Sequence, residues 1–399
     1  MVRESRDRER PEGMSDFVGR DMVHRRQVRQ KLLALFTAWG YEQVETPMLE
    51  YVDTFANGVL GGEEELLYRM FDPFGRTLAV RPEMTTPVAR LSATVLAKDP
   101  LPLRLCYDAK TYRLQPTNNT DRVEVTQAGI ELIGQDSPDA DAEMIALLIE
   151  SMRSLGVRDF AIALGHMGLV RALLAPLDAT FREPLRDALI DKDLVSYERI
   201  VDQIKPFVPE SILMSILQLP RLRGDVSVIT MARKLAFDDK ALLACDELLQ
   251  LWNALEDYGV ASSIHFDLGS YLHHDYYTGI VVEAYAEALG HPIAFGGRYD
   301  HLLARFGREQ KATGFAIQVE RLMAAIKEKP SLEVIHTINY NQANRKERLD
   351  FAKWLRTNGH CVVAMPQENV QRQEAVDAWL DDQYALYVSR EVEKGGDVC

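Results

Sequence analysis

Between Met167 and Tyr258 the sequence reads as helix after helix, with short breaks at Pro176, Pro206, Pro220 and Gly224, while strand patterns fill the chain on both sides. That arrangement constrains the fold more than any other feature. Strands drawn from before and after a long helical block have to meet in one body, with the block projecting as an insertion. A chain of 399 residues accommodates two or three domains at about 150 residues each. The expected organisation is a body over 1–166 and 261–328, a helical insertion over 167–260, and a short α/β domain over 329–399. The last begins at the charged Lys327-Glu-Lys-Pro330 junction and carries more acidic than basic side chains.

Upstream of the block, the turn-rich Arg10-Pro-Glu-Gly-Met-Ser-Asp-Phe17 leads into a helix expected over His24 to Trp39. Val28, Leu32, Leu33, Leu35 and Phe36 hold helical spacing there, and Gly40 stops it. Tyr41 to Leu49 reads as a strand interrupted by Pro47, a sheet edge or an interface. Leu67 to Val88 reads as a hairpin about Asp72-Pro-Phe-Gly75, ending at Arg81-Pro-Glu-Met-Thr-Thr86. Strands over Leu103 to Gln115 and Arg122 to Gly134 flank the turn Pro116-Thr-Asn-Asn-Thr120. Ser137-Pro138 caps a helix over Asp139 to Leu155, which Gly156 ends. Downstream, strands are expected over Ser262 to Gly269, Tyr276 to Tyr285 and Pro292 to Phe295, with a helix over Gly314 to Lys327.

Composition excludes several classes. With 47% hydrophobic and 27% charged residues the chain is globular in character. The net charge of −14 argues against a protein whose main work is gripping nucleic acid, since phosphate binding needs clustered Lys and Arg. No apolar run approaches the roughly 20 residues that span a bilayer, and Met1 to Arg10 lacks the apolar core of a signal peptide. The four cysteines, Cys106, Cys245, Cys361 and Cys399, form no CxxC pair. A reducing cytoplasm is expected, without a disulfide framework, metal site or cofactor.

Chemistry concentrates on the strands. In Thr126-Gln-Ala-Gly-Ile-Glu-Leu-Ile133, alternation puts Ala128, Ile130 and Leu132 on one face and Gln127, Gly129 and Glu131 on the other. A glycine between a carboxamide and a carboxylate leaves a floor for a small ligand; a solvated outer face fits the pattern equally well. Asp275-Tyr-Tyr-Thr-Gly-Ile-Val-Val-Glu283 repeats the design, with Tyr277, Gly279, Val281 and Glu283 sharing a face, although strand aromatics more often serve packing. His273 and His274 precede it. Phe295-Gly-Gly-Arg-Tyr-Asp300 follows, its Gly296-Gly297 either a tight turn or a close approach to a ligand. Glu83 follows a backbone-fixing proline, and Arg113 ends a strand where its guanidinium can grip a carboxylate or phosphate in bidentate fashion. Glu83, Gln127, Glu131 and Tyr277 together suit a positively charged amine and a hydrogen-bonding ring, as in an amino acid with a basic side chain.

Over roughly residues 10–325 these segments resemble the class II histidyl-tRNA synthetases. Pro11-Glu-Gly-Met-Ser-Asp16 is similar to their amino-terminal turn, Pro47 to the proline of the dimer-forming first motif, and Arg81-Pro-Glu83 with Thr85 to the segment holding the substrate amino group. Tyr112-Arg113 resembles the second motif, Gln127 and Glu131 the histidine-binding strand, and Asp275-Tyr-Tyr-Thr-Gly279 and Gly296-Gly-Arg-Tyr-Asp300 the two histidine-specific motifs. Gly314-Phe-Ala-Ile-Gln-Val-Glu-Arg321 resembles the third. The resemblance implies an α+β fold: a class II synthetase-like antiparallel sheet flanked by helices. It also implies a histidine site of Glu83, Thr85, Arg113, Gln127, Glu131, Tyr276 and Tyr277.

The departures fall on adenylation chemistry. Gln115 stands for the second motif's glutamate, Leu272 for an arginine that meets the α-phosphate and the substrate carboxylate, and Gln318 for a glycine. Val123 and Asp121 replace two arginines, leaving Arg122 on the opposite strand face. Loss of such an electrostatic stabiliser costs about a hundred- to a thousandfold in rate. The pattern is similar to that of the non-catalytic synthetase paralogues that serve ATP phosphoribosyltransferase as regulatory subunits. That resemblance implies no catalytic residues, a short-form catalytic subunit as partner in a hetero-oligomer, with an octamer one such assembly, and feedback inhibition by histidine. The first motif implies a homodimer within the assembly. Neither tRNA nor a membrane is an expected partner. A divergent histidyl-tRNA synthetase is the alternative, favoured by Arg113 and Arg321.

Overall fold

A computed structural model describes residues 8–55, 64–114, 122–272, 276–287, 289–328, 335–366, 380, 382–384 and 386–387. The chain divides into two units, 1–329 and 330–399. In the first, a nine-stranded sheet runs in the order β1-β5-β6-β12-β11-β10-β7-β9-β8. Its strands are β1 (Glu42–Gln43), β5 (Leu103–Tyr112), β6 (Glu124–Ile133), β7 (Phe160–His166), β8 (Arg223–Gly224), β9 (Ile264–Asp267), β10 (Ile280–Ala286), β11 (Ala294–Arg298) and β12 (Ala312–Gln318). All pairings are antiparallel except β1 with β5 and β7 with β9, so the sheet is mixed rather than wholly antiparallel. The long connections into β5 and β9 allow those two parallel pairs, which a tight turn could not join.

Helices α1 (Gly19–Ala38), α3 (Pro138–Ser154) and α10 (Val319–Ala325) cover one face of the sheet. Val28, Leu32 and Phe36 of α1 are buried there, and the Phe36 ring meets Phe315 of β12 edge-on at 5.7 Å. Ser137 caps α3 by accepting the Ala140 N–H. Arg25 of α1 is 3% exposed and pairs with Glu320 of α10 at 2.8 Å, while Glu320 accepts the Thr126 N–H of β6. This buried pair ties two helices to the strand carrying Gln127 and Glu131. A second sheet, β2-β4-β3, joins β2 (Leu49–Tyr51), β3 (Arg69–Phe71) and β4 (Thr77–Val80), and α2 (Thr85–Thr94) follows.

Residues 167–260 contain α4 (Met167–Leu174), α5 (Ala179–Ile190), α6 (Leu194–Ile204), α7 (Glu210–Gln218), α8 (Ser227–Leu235) and α9 (Asp239–Asp257). The segment is not purely helical, because Arg223–Gly224 pairs with β9 at the sheet's edge. Two residues are too few to leave an alternating signature. The expected helix over Gly314 to Lys327 is strand as far as Gln318 and helix only from Val319. A buried apolar run reads as either element, and here Gly314 and Phe315 lie between β6 and β11.

The second unit pairs β13 (Ile335–Tyr340) and β14 (Cys361–Pro366) in parallel about α11 (Arg345–Thr357). Ile338, Phe351, Ala352, Leu355, Val362 and Tyr387 form its own core.

Candidate functional site: a pocket on the open sheet face

On the sheet face away from α1, the strand register lines up small residues. Gly129 stands beside Tyr107 and Ala316, and Glu131 beside Leu105 and Gly314. Ala316 is paired in turn with Phe295, and Phe295 with Glu283. Above these rows is a cavity of 520 Å³, in the range of small-molecule sites. Glu83, Thr85, Arg113, Gln127, Tyr276 and Tyr277 line it, as do Leu272, Glu283, Tyr299 and Arg321. Six of the seven expected histidine-site residues therefore share one cavity.

Glu131, the seventh, does not line it. Its side chain lies between two phenols, accepting from Tyr107 at 3.3 Å and from Tyr299, and only Tyr299 continues into the cavity wall. The floor expected at Gly129 is likewise occupied, because a Cβ there would run into the Phe315 carbonyl oxygen and lie 2.7 Å from the Tyr107 hydroxyl. At Gly314 a Cβ would overlap the Glu131 carboxylate. The glycines thus make room for Tyr107 and Glu131 rather than for a ligand directly. Tyr107 and Tyr299 escape sequence reading because the first depends on the β5–β6 register and the second on a hydrogen bond between residues distant in sequence.

Burial sets the electrostatics. It pushes the Glu131 carboxyl up to about 8, with hydrogen bonds from Tyr299 and Thr85 opposing and the neighbouring Glu83 charge reinforcing. Burial also raises Glu83, against hydrogen bonds from Thr86 and Thr85. Glu83 accepts the Thr86 N–H at 3.0 and 3.2 Å, so its carboxylate is held at the amino end of α2. Burial lowers Arg113, with Tyr276 opposing. The Tyr276 and Tyr277 rings are 4.7 Å apart, and Tyr276 meets Tyr299 edge-on at 5.8 Å. The Gln127 Oε1 is buried without a hydrogen-bond partner, an acceptor a ligand's amine can satisfy.

Several sequence readings change in place. Tyr277 and Gly279 precede β10, which begins at Ile280, yet Tyr277 and Glu283 still meet across the cavity. Gly296 and Gly297 form no turn; they lie within β11, where a Cβ at Gly296 would meet Phe315 and one at Gly297 would meet Tyr277. Arg122 precedes β6, so strand alternation does not direct it away: it borders the cavity and stacks over Phe17 at 5.4 Å. Arg81 is taken up by the Lys110 and Thr46 carbonyls, at 2.9 and 2.7 Å. Lys192, from the loop after α5, reaches the cavity's far edge and bonds Tyr285 at 2.8 Å, a contribution with no sequence signal. Gln115, Asp121, His273, His274 and Asp275 lie outside the described residues, as does the turn 116–120.

The geometry is that of a small-molecule cavity with acceptors and phenols on an open sheet face, and comparison with known proteins places the chain in a family. A histidyl-tRNA synthetase family model matches residues 13–322. The ATP phosphoribosyltransferase regulatory subunit of Bacillus licheniformis is 38% identical over 360 residues, covering 89% of this chain and 90% of its own. The chain belongs to the ATP phosphoribosyltransferase regulatory subunits. The Moorella thermoacetica regulatory subunit is 39% identical over 369 residues, 92% of this chain and 94% of its own. A crystal structure described as an ATP phosphoribosyltransferase regulatory subunit/histidyl-tRNA synthetase from Bacillus halodurans superposes with a TM-score of 0.84 at 35% identity, covering 94% and 96% of the two chains. Leu272, 8% exposed, brings an aliphatic side chain to the cavity wall, where Val123, Val125 and Ile190 also stand. Among the described residues no helix is long and apolar enough to cross a membrane, and no group of His, Cys, Asp and Glu is placed to hold a metal ion.

Proposed function

We propose that this chain is the histidine-sensing regulatory subunit of a short-form ATP phosphoribosyltransferase in histidine biosynthesis. It works in the cytoplasm as a homodimer within a hetero-oligomer, activates the catalytic subunit and confers feedback inhibition by histidine. The single observation that carries the reading is the cavity that gathers Glu83, Thr85, Gln127, Tyr276 and Tyr277 around Leu272. Acceptors for an amine and an imidazole are retained there, and the arginine that synthetases of this class use on the α-phosphate is absent. Arg113 supplies a cation for the ligand's carboxylate. Feedback requires that histidine bind two states of the assembly with different affinity, since equal affinity shifts nothing.

The test is calorimetry of histidine with the full chain, followed by reconstitution with a short catalytic subunit. Histidine binds without ATP, and Gln127→Ala, which removes an acceptor lining the cavity, sharply weakens both binding and feedback; unchanged inhibition in the variant complex overturns this pocket as the sensor. Because Arg113 and Arg321 line the same cavity, a divergent synthetase is the second reading. It predicts histidine-dependent exchange of pyrophosphate into ATP, which the regulatory reading predicts to be absent.

A further inference from the structure

A second cavity, of 730 Å³, lies at the sheet's end against α3, α4 and α9, and its lining includes Asp141, His166, Glu247, Thr278, Arg298 and Asp300. It shares a wall with the first. Thr278 follows Tyr277 and Arg298 precedes Tyr299, and both tyrosines line the first cavity. The two wall segments are bonded to each other: the Thr278 N–H donates to the Arg298 carbonyl at 2.8 Å, and the Asp300 N–H donates to Thr278 Oγ1 at 3.1 Å. A ligand that moves Tyr277 or Tyr299 moves this wall.

On the far side the wall ends in a guanidinium with two carboxylates in reach. Arg298 is 7% exposed; its Nε donates to Asp141 Oδ2 at 2.9 Å, and one terminal nitrogen stands 3.5 Å from Asp300. The remaining N–H groups reach the Gln135 and Ser137 carbonyls, both at 3.2 Å, at the start of α3. Asp141 is 5% exposed, and the Thr313 hydroxyl stands beside its carboxylate in the same buried space. A small shift of the guanidinium away from Asp300 would make its contact with Asp141 bidentate. One guanidinium thus has two carboxylates within its reach, the geometry a relay between two partners requires. The wall also fastens to the helical segment: the Gly279 carbonyl accepts the Met167 N–H at 2.8 Å, and the preceding His166 pairs with Glu247 of α9 at 2.9 Å.

We infer that Arg298, shared between Asp141 and Asp300, is a two-position relay through which occupancy of the amino-acid pocket is passed to α3 and to the helical segment. Arg298 and Asp300 are positioning residues and touch no ligand. The inference rests on the histidine-pocket reading above and extends it to the route by which the signal leaves.

Hydrogen exchange of the full chain, with and without L-histidine, is the direct test and needs no variant. Histidine changes protection at the start of α3 and in α9 around Glu247, as well as at the pocket. Asp300→Asn, which removes the competing carboxylate, shifts histidine affinity by roughly three- to tenfold in calorimetry although Asp300 does not line the pocket. Protection changes confined to the pocket, with Asp300→Asn affinity within about twofold of wild type, overturn the relay and leave the pocket standing. If calorimetry detects no histidine binding to the wild-type chain, the pocket reading falls and the relay with it.

Discussion

Glu131 shares a low-dielectric space with Glu83, and that neighbouring charge adds to the burial that raises its carboxyl. A carboxyl whose folded value is raised to about 8 stabilises the fold fully below its unfolded value, near 4.5, and the contribution is lost as pH rises through about 8. The ligand-free protein should therefore melt at lower temperature at pH 9 than at pH 6.5. Glu131→Gln, which keeps the shape and cannot ionise, should flatten that part of the profile. Thermal melts of both proteins across pH 6–9.5 check this; parallel profiles would mean that Glu131 is already ionised at pH 6. Gln127 and Glu83 are legible in the sequence because strand alternation and the preceding Pro82 place them, whereas Tyr277 reaches the cavity from just before β10. The phenols that hold Glu131 are not legible, since Tyr107 in a strand reads first as packing and Tyr299 follows β11, its bond to Glu131 set by tertiary contacts.

At the scale of elements, β6 and β12 are matched by glycine. Gly129 admits the Tyr107 ring, and Gly314 admits the Glu131 carboxylate. Overpacking at such a site costs typically about 1–3 kcal/mol, and here the displaced group is the carboxylate itself. Gly314→Ala should lower the melting temperature and weaken histidine binding together. Gly40→Ala provides the contrast, because a Cβ there meets nothing within 4 Å, although its φ of +84° adds local backbone strain. Its effect should fall on stability alone, with affinity unchanged in calorimetry. Most strands and the capped α3 are readable from alternation and from Ser137-Pro138. The β12–α10 boundary is not, because a central strand and a buried helix present the same continuous apolar run, and only pairing with β6 and β11 decides between them.

At the scale of the whole molecule, the helical block and the ordered motifs determine the architecture from sequence, whereas the mixed sheet and the Lys192 contact depend on how distant segments meet. The net charge of −14 bears on what such a body can hold. A surface making 6–10 phosphate contacts loses about 10³–10⁵ in affinity between 50 and 200 mM salt. The cationic side chains that line the first cavity, Arg113, Arg122, Arg321 and Lys192, lie beside a pocket rather than along a face, and Lys192 is already engaged by Tyr285 and Glu283. Binding of bulk tRNA should therefore be no tighter than the non-specific range, about 10⁻⁴–10⁻⁶ M, and should vanish at 200 mM salt. Filter binding at 50 and 200 mM salt measures both. Nanomolar affinity that survives 200 mM would show a dedicated tRNA surface and would favour the synthetase reading over the regulatory one.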